Sequence, residues 1–204
     1  VSDEVKVADT LNALSFDAVI AGVHTEKLAR TGDVYPEATI TWSLAEGTTA
    51  ATLNNKGNRL TSIAETEPAE ITLTATVQSG DATDSKSFAI KVIPNEESAI
   101  LAAAQALEAG DSFINEVSLT GTVTKIVTAY DEEYGSVTFD MLVGEVTVEG
   151  YRVKGGAGIS AADVAVGDTV TLQGILKNYN GTIEFDTGSL ITALVKGETP
   201  EKPE

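Results

Sequence analysis

Five tyrosines occur in the chain, and four of them, Tyr130, Tyr134, Tyr151 and Tyr179, fall in its C-terminal half. Exposed phenol rings offer flat faces that stack on bases or on sugar rings. Asn178 stands beside Tyr179 and adds an amide that can both donate and accept. Tyr130 precedes "DEEYG" and Tyr134 lies within it, where Asp131 with Glu133 offers the oxygen ligands that Ca²⁺ prefers. EF-hand spacing is absent and a solvated acidic loop is the plainer reading, so no cofactor is expected.

Catalytic constellations are harder to assemble. The single histidine, His24, lies far from the tyrosines in sequence and reads as a loop or edge-strand residue. Asp186-Thr187-Gly188 has the form of an aspartic-protease triplet, but that chemistry needs two such loops whose carboxylates share a proton. Only one triplet is present, with 16 residues after it. "GGAG" at 155–158 lacks the lysine of a phosphate loop. With no cysteine, thiolate nucleophiles, disulfides and zinc–thiolate sites are excluded. A non-enzyme is expected.

Charge narrows the ligand. The net charge is −18: −6 over residues 1–95 (13 acids, 7 bases) and −12 over 96–204 (18 acids, 6 bases). A nucleic-acid groove needs the opposite sign, so nucleic acid is disfavoured and neutral glycan, or another surface protein, fits the tyrosines better. No apolar run approaches the ~20 residues of a membrane span, so no membrane insertion is expected.

The elements that must carry these residues are mostly strands. Thr, Val, Gly and Ala abound and turn signals recur every ~8–12 residues. "ATITWSL" alternates with Ile40, Trp42 and Leu44 on one face, which makes Trp42 a core residue. "EITLTATVQSGDATDSKSFAIKVIP" reads as a hairpin with Ile71, Leu73, Ala75 and Val77 facing Phe88, Ile90 and Val92. "VADTLNALSF" is read as an earlier strand segment of the same sandwich. One helix is expected, after Pro94. Asn95 would cap it, Ile100, Leu101, Ala104 and Leu107 would share its buried face, and Gly110 would end it. Five strands follow: Val117–Tyr130, Ser136–Val143, Val146–Lys154, Thr169–Asn180 and Gly181–Leu194, with the longest excursion between the third and fourth. That is the plan of a five-stranded OB-fold barrel, with Gly121 and Gly174 at its corners.

Asn180-Gly181 would form a type I′ turn. Tyr179 then pairs with Thr182, Asn178 with Ile183, Lys177 with Glu184 and Leu176 with Phe185. In this register Lys177, Glu184 and Asp186 face solvent on a strand, and a one-residue slip would bury them. Asn180-Gly181-Thr182, formally an N-glycosylation acceptor, is thus accounted for by the turn.

The "ITWSL" strand and the closing "ITLTATVQSGDATDSKSFAIKV" hairpin resemble the bacterial immunoglobulin-like domains of surface proteins. "YRVKG" and "AVGDTVTLQGILKNYNGTIEF" resemble OB modules of secreted bacterial proteins. The expected organisation is all-β: an Ig-like sandwich over 1–94, helix plus OB-fold over 95–196, and a Pro/Glu-rich linker over 197–204. The resemblance implies a bacterial extracellular or cell-wall location within a longer, multidomain protein. It also implies a non-catalytic binding or adhesion role. The alternatives are accessory domains of a secreted nuclease or hydrolase, and a stalk without ligand.

Overall fold

The computed structural model describes residues 1–63 and 66–198; most of the expected linker, from Thr199 onward, lies outside them. The chain separates into two compact units, Val1–Asn95 and Glu96–Glu204.

The first unit is a sandwich of a four-stranded and a three-stranded sheet. The larger holds β1 (Val19–Ala21), β3 (Thr39–Leu44), β6 (Ala69–Ser79) and β7 (Ala82–Ile93), and the smaller β2 (Thr25–Lys27), β4 (Ala51–Leu53) and β5 (Arg59–Ser62). β1 runs parallel to β7, so the first strand lies against the last. Period-two burial along β6 puts Ile71, Leu73, Ala75 and Val77 in the core, as its alternation predicts. Trp42 is 8% exposed, opposite Ala75.

One element departs from expectation. "VADTLNALSF" is not a strand: Asp3–Ala13 is helix α1, burying Val7, Thr10 and Leu11 at helical spacing. Ser79 donates to Asp3 (2.8 Å), and Lys86 reaches the carbonyl oxygens of Leu11 and Leu14 at the helix's end. Leu11 lies in the last turn and Leu14 is the C-cap, and carbonyls at this negative end of a helix attract a cation. Helix α1 therefore covers the part of the β6–β7 hairpin that carries Ser79 and Lys86.

In the second unit helix α2 (Glu97–Gln105) buries Ile100, Leu101, Ala103 and Ala104. Its N-cap is Glu96, without a side-chain cap bond, rather than Asn95. Gly110 (φ +93°) lies in a turn beyond the helix, not at its end, and its N–H donates to the carbonyl of Asn178. The barrel strands are β8 (Val117–Asp131), β9 (Ser136–Val143), β10 (Val146–Gly155), β11 (Thr169–Gly174) and β14 (Leu190–Val195). They close in the order β8-β9-β10-β14-β11-β8, with β10 and β14 parallel, which is OB-fold topology. Phe139, Met141, Val148, Val170, Leu172 and Ile191 fill the interior. Gly174 is required where it stands, since a Cβ there would collide with Ser189.

The two long C-terminal strands of the sequence reading are each broken. β11 ends at Gly174 and resumes as β12 (Leu176–Tyr179). β13 (Thr182–Phe185) and β14 are separated by a turn over 186–189. The β12–β13 hairpin has the expected register, turns on Asn180 (φ +50°) and Gly181 (φ +95°), and lays β13 parallel to β10.

Candidate ligand face of the barrel

Strand β10 should alternate between interior and surface. Val148, Gly150 and Val153 all face inward, so the alternation slips by one residue between Gly150 and Val153. Tyr151 and Arg152 together oppose the single residue Thr138 of β9, which makes this a β-bulge. Arg152 has φ +48°, a left-handed conformation that side chains with a Cβ seldom adopt, and its N–H donates to Thr138 Oγ1 (3.0 Å). Two consecutive side chains are thereby sent to the outer surface.

The β8–β9 turn brings a third. Asp131 Oδ1 accepts the backbone N–H groups of Glu133 (2.9 Å) and Tyr134 (3.2 Å), and Gly135 (φ +64°) donates to the Asp131 carbonyl. This clamp leaves the Tyr134 ring 56% exposed. The Arg152 guanidinium carbon lies 5.4 Å from the Tyr151 ring centroid and 5.9 Å from that of Tyr134. Tyr130 approaches Gly135 with its hydroxyl and keeps a partly open ring. Tyr130, Tyr134, Tyr151 and Arg152 therefore form one patch. Arg152 escaped the sequence reading, although the Val148-x-Gly150-x-x-Val153 spacing, one residue out of alternation, signals the bulge.

Tyr179 belongs elsewhere. Glu149 pairs with Glu184, so the Tyr179–Thr182 end of the hairpin lies level with Thr147. That is about 15 Å along the strand from Arg152 at ~3.3 Å per residue. Tyr179 is packed by Lys177, whose ammonium is 5.3 Å from its ring centroid. The Asn178 amide is committed within the fold, donating to the Leu107 carbonyl and accepting from Gly181 N–H.

Between the two groups runs a row of charge across five strands: Lys125, Asp140, Glu149, Glu184 and Lys177. Glu184 does not face solvent as the alternation predicted. It is 3% exposed, sealed between β10 and β12 and paired with Lys177 at 3.1 Å. Asp186 also departs from expectation. It leaves the strand and opens the turn after β13, its Oδ1 accepting from Thr187 N–H (2.7 Å) and Lys177 Nζ (2.9 Å). Burial, then the neighbouring charges of Glu184 and Asp140 and a hydrogen bond with Glu184, raise the carboxyl of Glu149 above its ordinary value.

A raised folded-state value gives stability that is fully present below the unfolded value and lost as pH rises through the folded one. Like charges directly opposite on a sheet cost about 0.2–1 kcal/mol each. Glu149→Gln is therefore expected to raise the melting temperature at pH 7 and to match the wild type near pH 4. An equal melting temperature at pH 7 would refute the assignment.

The His24 ring pairs with Glu26 at 2.8 Å, and the His24 backbone N–H donates to Ser62 Oγ. The hydroxyl of Ser62 is buried and turned to the backbone carbonyls of Gly22 and His24, not to the imidazole. Among the described residues no group of three or more His, Cys, Asp or Glu is arranged to hold a metal, and Asp131 spends one oxygen on its own turn. No helix among them is long and apolar enough to cross a membrane.

No protein-family model matches the chain, and no curated protein matches it. Among solved structures it is similar to "Zebrafish RET Cadherin Like Domains 1 to 4", with 12% identity over 60% of this chain and 26% of that one, at a TM-score of 0.29. A likeness of that size has no bearing on function.

Proposed function

We propose that the chain is a non-catalytic extracellular binding segment of a larger bacterial surface protein, and that the barrel takes glycan on the Tyr130–Tyr134–Tyr151–Arg152 patch. One observation carries this reading. A strained bulge puts Tyr151 and Arg152 side by side on the surface, next to a tyrosine that its own turn holds open. Backbone held in a sparsely populated region persists only where the surroundings impose it, and such positions cluster at functional sites. Tyrosine faces suit the apolar faces of sugar rings, and the −12 charge of residues 96–204 disfavours nucleic acid. The sandwich then acts as a spacer.

Retardation in polysaccharide-containing native gels tests this. Tyr134→Ala should weaken binding by about 1 kcal/mol or more, roughly fivefold in Kd. Tyr179→Ala should leave it within twofold, roughly the scatter for a residue outside the site. Equal losses from the two would move the site to the hairpin. Binding of single-stranded DNA at low salt would favour an accessory domain of a nuclease, and no retardation on a broad panel would favour a stalk.

A further inference from the structure

The patch contains one arginine, and its setting bears on what the ligand carries. The Arg152 guanidinium makes no hydrogen bond or ion pair with any described residue, although acids outnumber bases three to one in residues 96–204. By contrast Lys177 has two carboxylate partners, and Lys196 has Asp168. Ring contacts with Tyr134 and Tyr151 restrain the guanidinium without using its N–H donors. A planar fork of unspent donors is complementary to a carboxylate, which it can hold by two parallel bonds.

Building on the glycan reading, we propose that the patch recognises an otherwise neutral glycan bearing a single carboxylated sugar, whose carboxylate pairs with Arg152 while the neighbouring ring lies against Tyr134. The surrounding field sets the limit of one. A polyanion would meet the charge of the whole unit, whereas one carboxylate meets Arg152 and, further along β10, Lys154. Glu132 and Glu133, exposed in the adjoining turn, oppose the carboxylate and reject chains that carry more of them.

Calorimetric titration of the 204-residue chain with two oligosaccharides of equal length tests this: one ends in glucuronic acid, the other is its carboxyl-reduced counterpart. The acid form should bind at least about tenfold tighter. Arg152→Gly should erase that preference while leaving the fold at least as stable, because glycine relieves the left-handed backbone. Loss of binding in this variant therefore cannot be put down to unfolding. Arg152→Lys keeps the charge without the fork and should keep part of the preference. Neutralising Glu132 and Glu133 to Gln should tighten the acid form about two- to threefold at low salt and leave the neutral form unchanged. Equal affinity for the two sugars, unaltered by Arg152→Gly, would overturn the carboxylate proposal and leave the glycan reading standing. If neither sugar binds and a broad glycan panel is also silent, both fall.

Discussion

Trp42→Ala should cost the first unit about 3–5 kcal/mol, the range for emptying a buried aromatic site. Its indole is 8% exposed and donates from Nε1 to the Ala29 carbonyl at 2.6 Å. Phe16 meets the indole edge-on at 5.5 Å between centroids, and Phe88 lies 6.3 Å away. Phe16 and Phe88 also pack on each other at 5.0 Å. Removing Trp42 thus opens a cavity, strands a carbonyl and takes the third ring from a mutual cluster. Phe16 follows helix α1, so the variant also loosens the ground on which that helix rests. For a unit of this size, 1 kcal/mol moves the midpoint by about 4–8 °C, so the expected drop is roughly 12–40 °C. Trp42→Phe should recover most of it, short of the lost Ala29 bond at about 1–2 kcal/mol. Because Trp42 is the only tryptophan, the melts must be followed by circular dichroism rather than by its fluorescence. A loss under about 1 kcal/mol would mean that the sandwich is not organised around this residue.

Whereas the three-residue strands β1, β2 and β4 are too short to show a period-two pattern, strands β3, β6, β8 and β11 were legible because each carries one with one face buried. The hairpin at Asn180-Gly181 was legible down to its register for the same reason, helped by a turn that demands positive φ twice. Helix α1 was not. Val5 and Val7 alternate like strand residues, and the stripe the helix buries includes a threonine, Thr10, so the apolar face is too thin to show a 3.6 period. The burial of Glu184 was hidden for a different reason. Alternation tells which side of a strand a residue takes, but not whether another strand and a lysine will cover that side. At the site, residue type pointed to the tyrosines, but only the fold separates Tyr179 from the others and adds Arg152. A bulge is a one-residue fault in a repeat, and the eye reads a repeat by averaging over it.

Asp168→Asn is expected to cost the second unit about 2–3 kcal/mol, and its signature is a change in pH dependence as well as in stability. Asp168 is 2% exposed at the start of β11. Its Oδ2 accepts from Ala165 N–H (2.8 Å) and Lys196 Nζ (2.6 Å), and its Oδ1 accepts from Gly197 N–H (3.0 Å). The carboxylate thereby ties the end of β14 to the turn before β11, while the neighbouring backbone of Gly167 and Asp168 pairs with Val123 of β8. Three segments of the barrel seam meet there. Burial alone would raise this carboxyl, but the bonds from Lys196, Gly197 and Ala165 outweigh it and hold it below its ordinary 3.8. A depressed folded-state value contributes stability that is present above the unfolded value and lost as pH falls through the folded one. The wild type should therefore lose stability more steeply below about pH 4 than Asp168→Asn does, and the two curves should converge in acid. Lys196 is largely exposed, so water screens its share and Lys196→Ala should cost under about 1 kcal/mol. The contrast between the two variants assigns the seam to the backbone N–H groups that the carboxylate satisfies. If Lys196→Ala were as damaging as Asp168→Asn, the ion pair and not those N–H groups would be what closes the barrel.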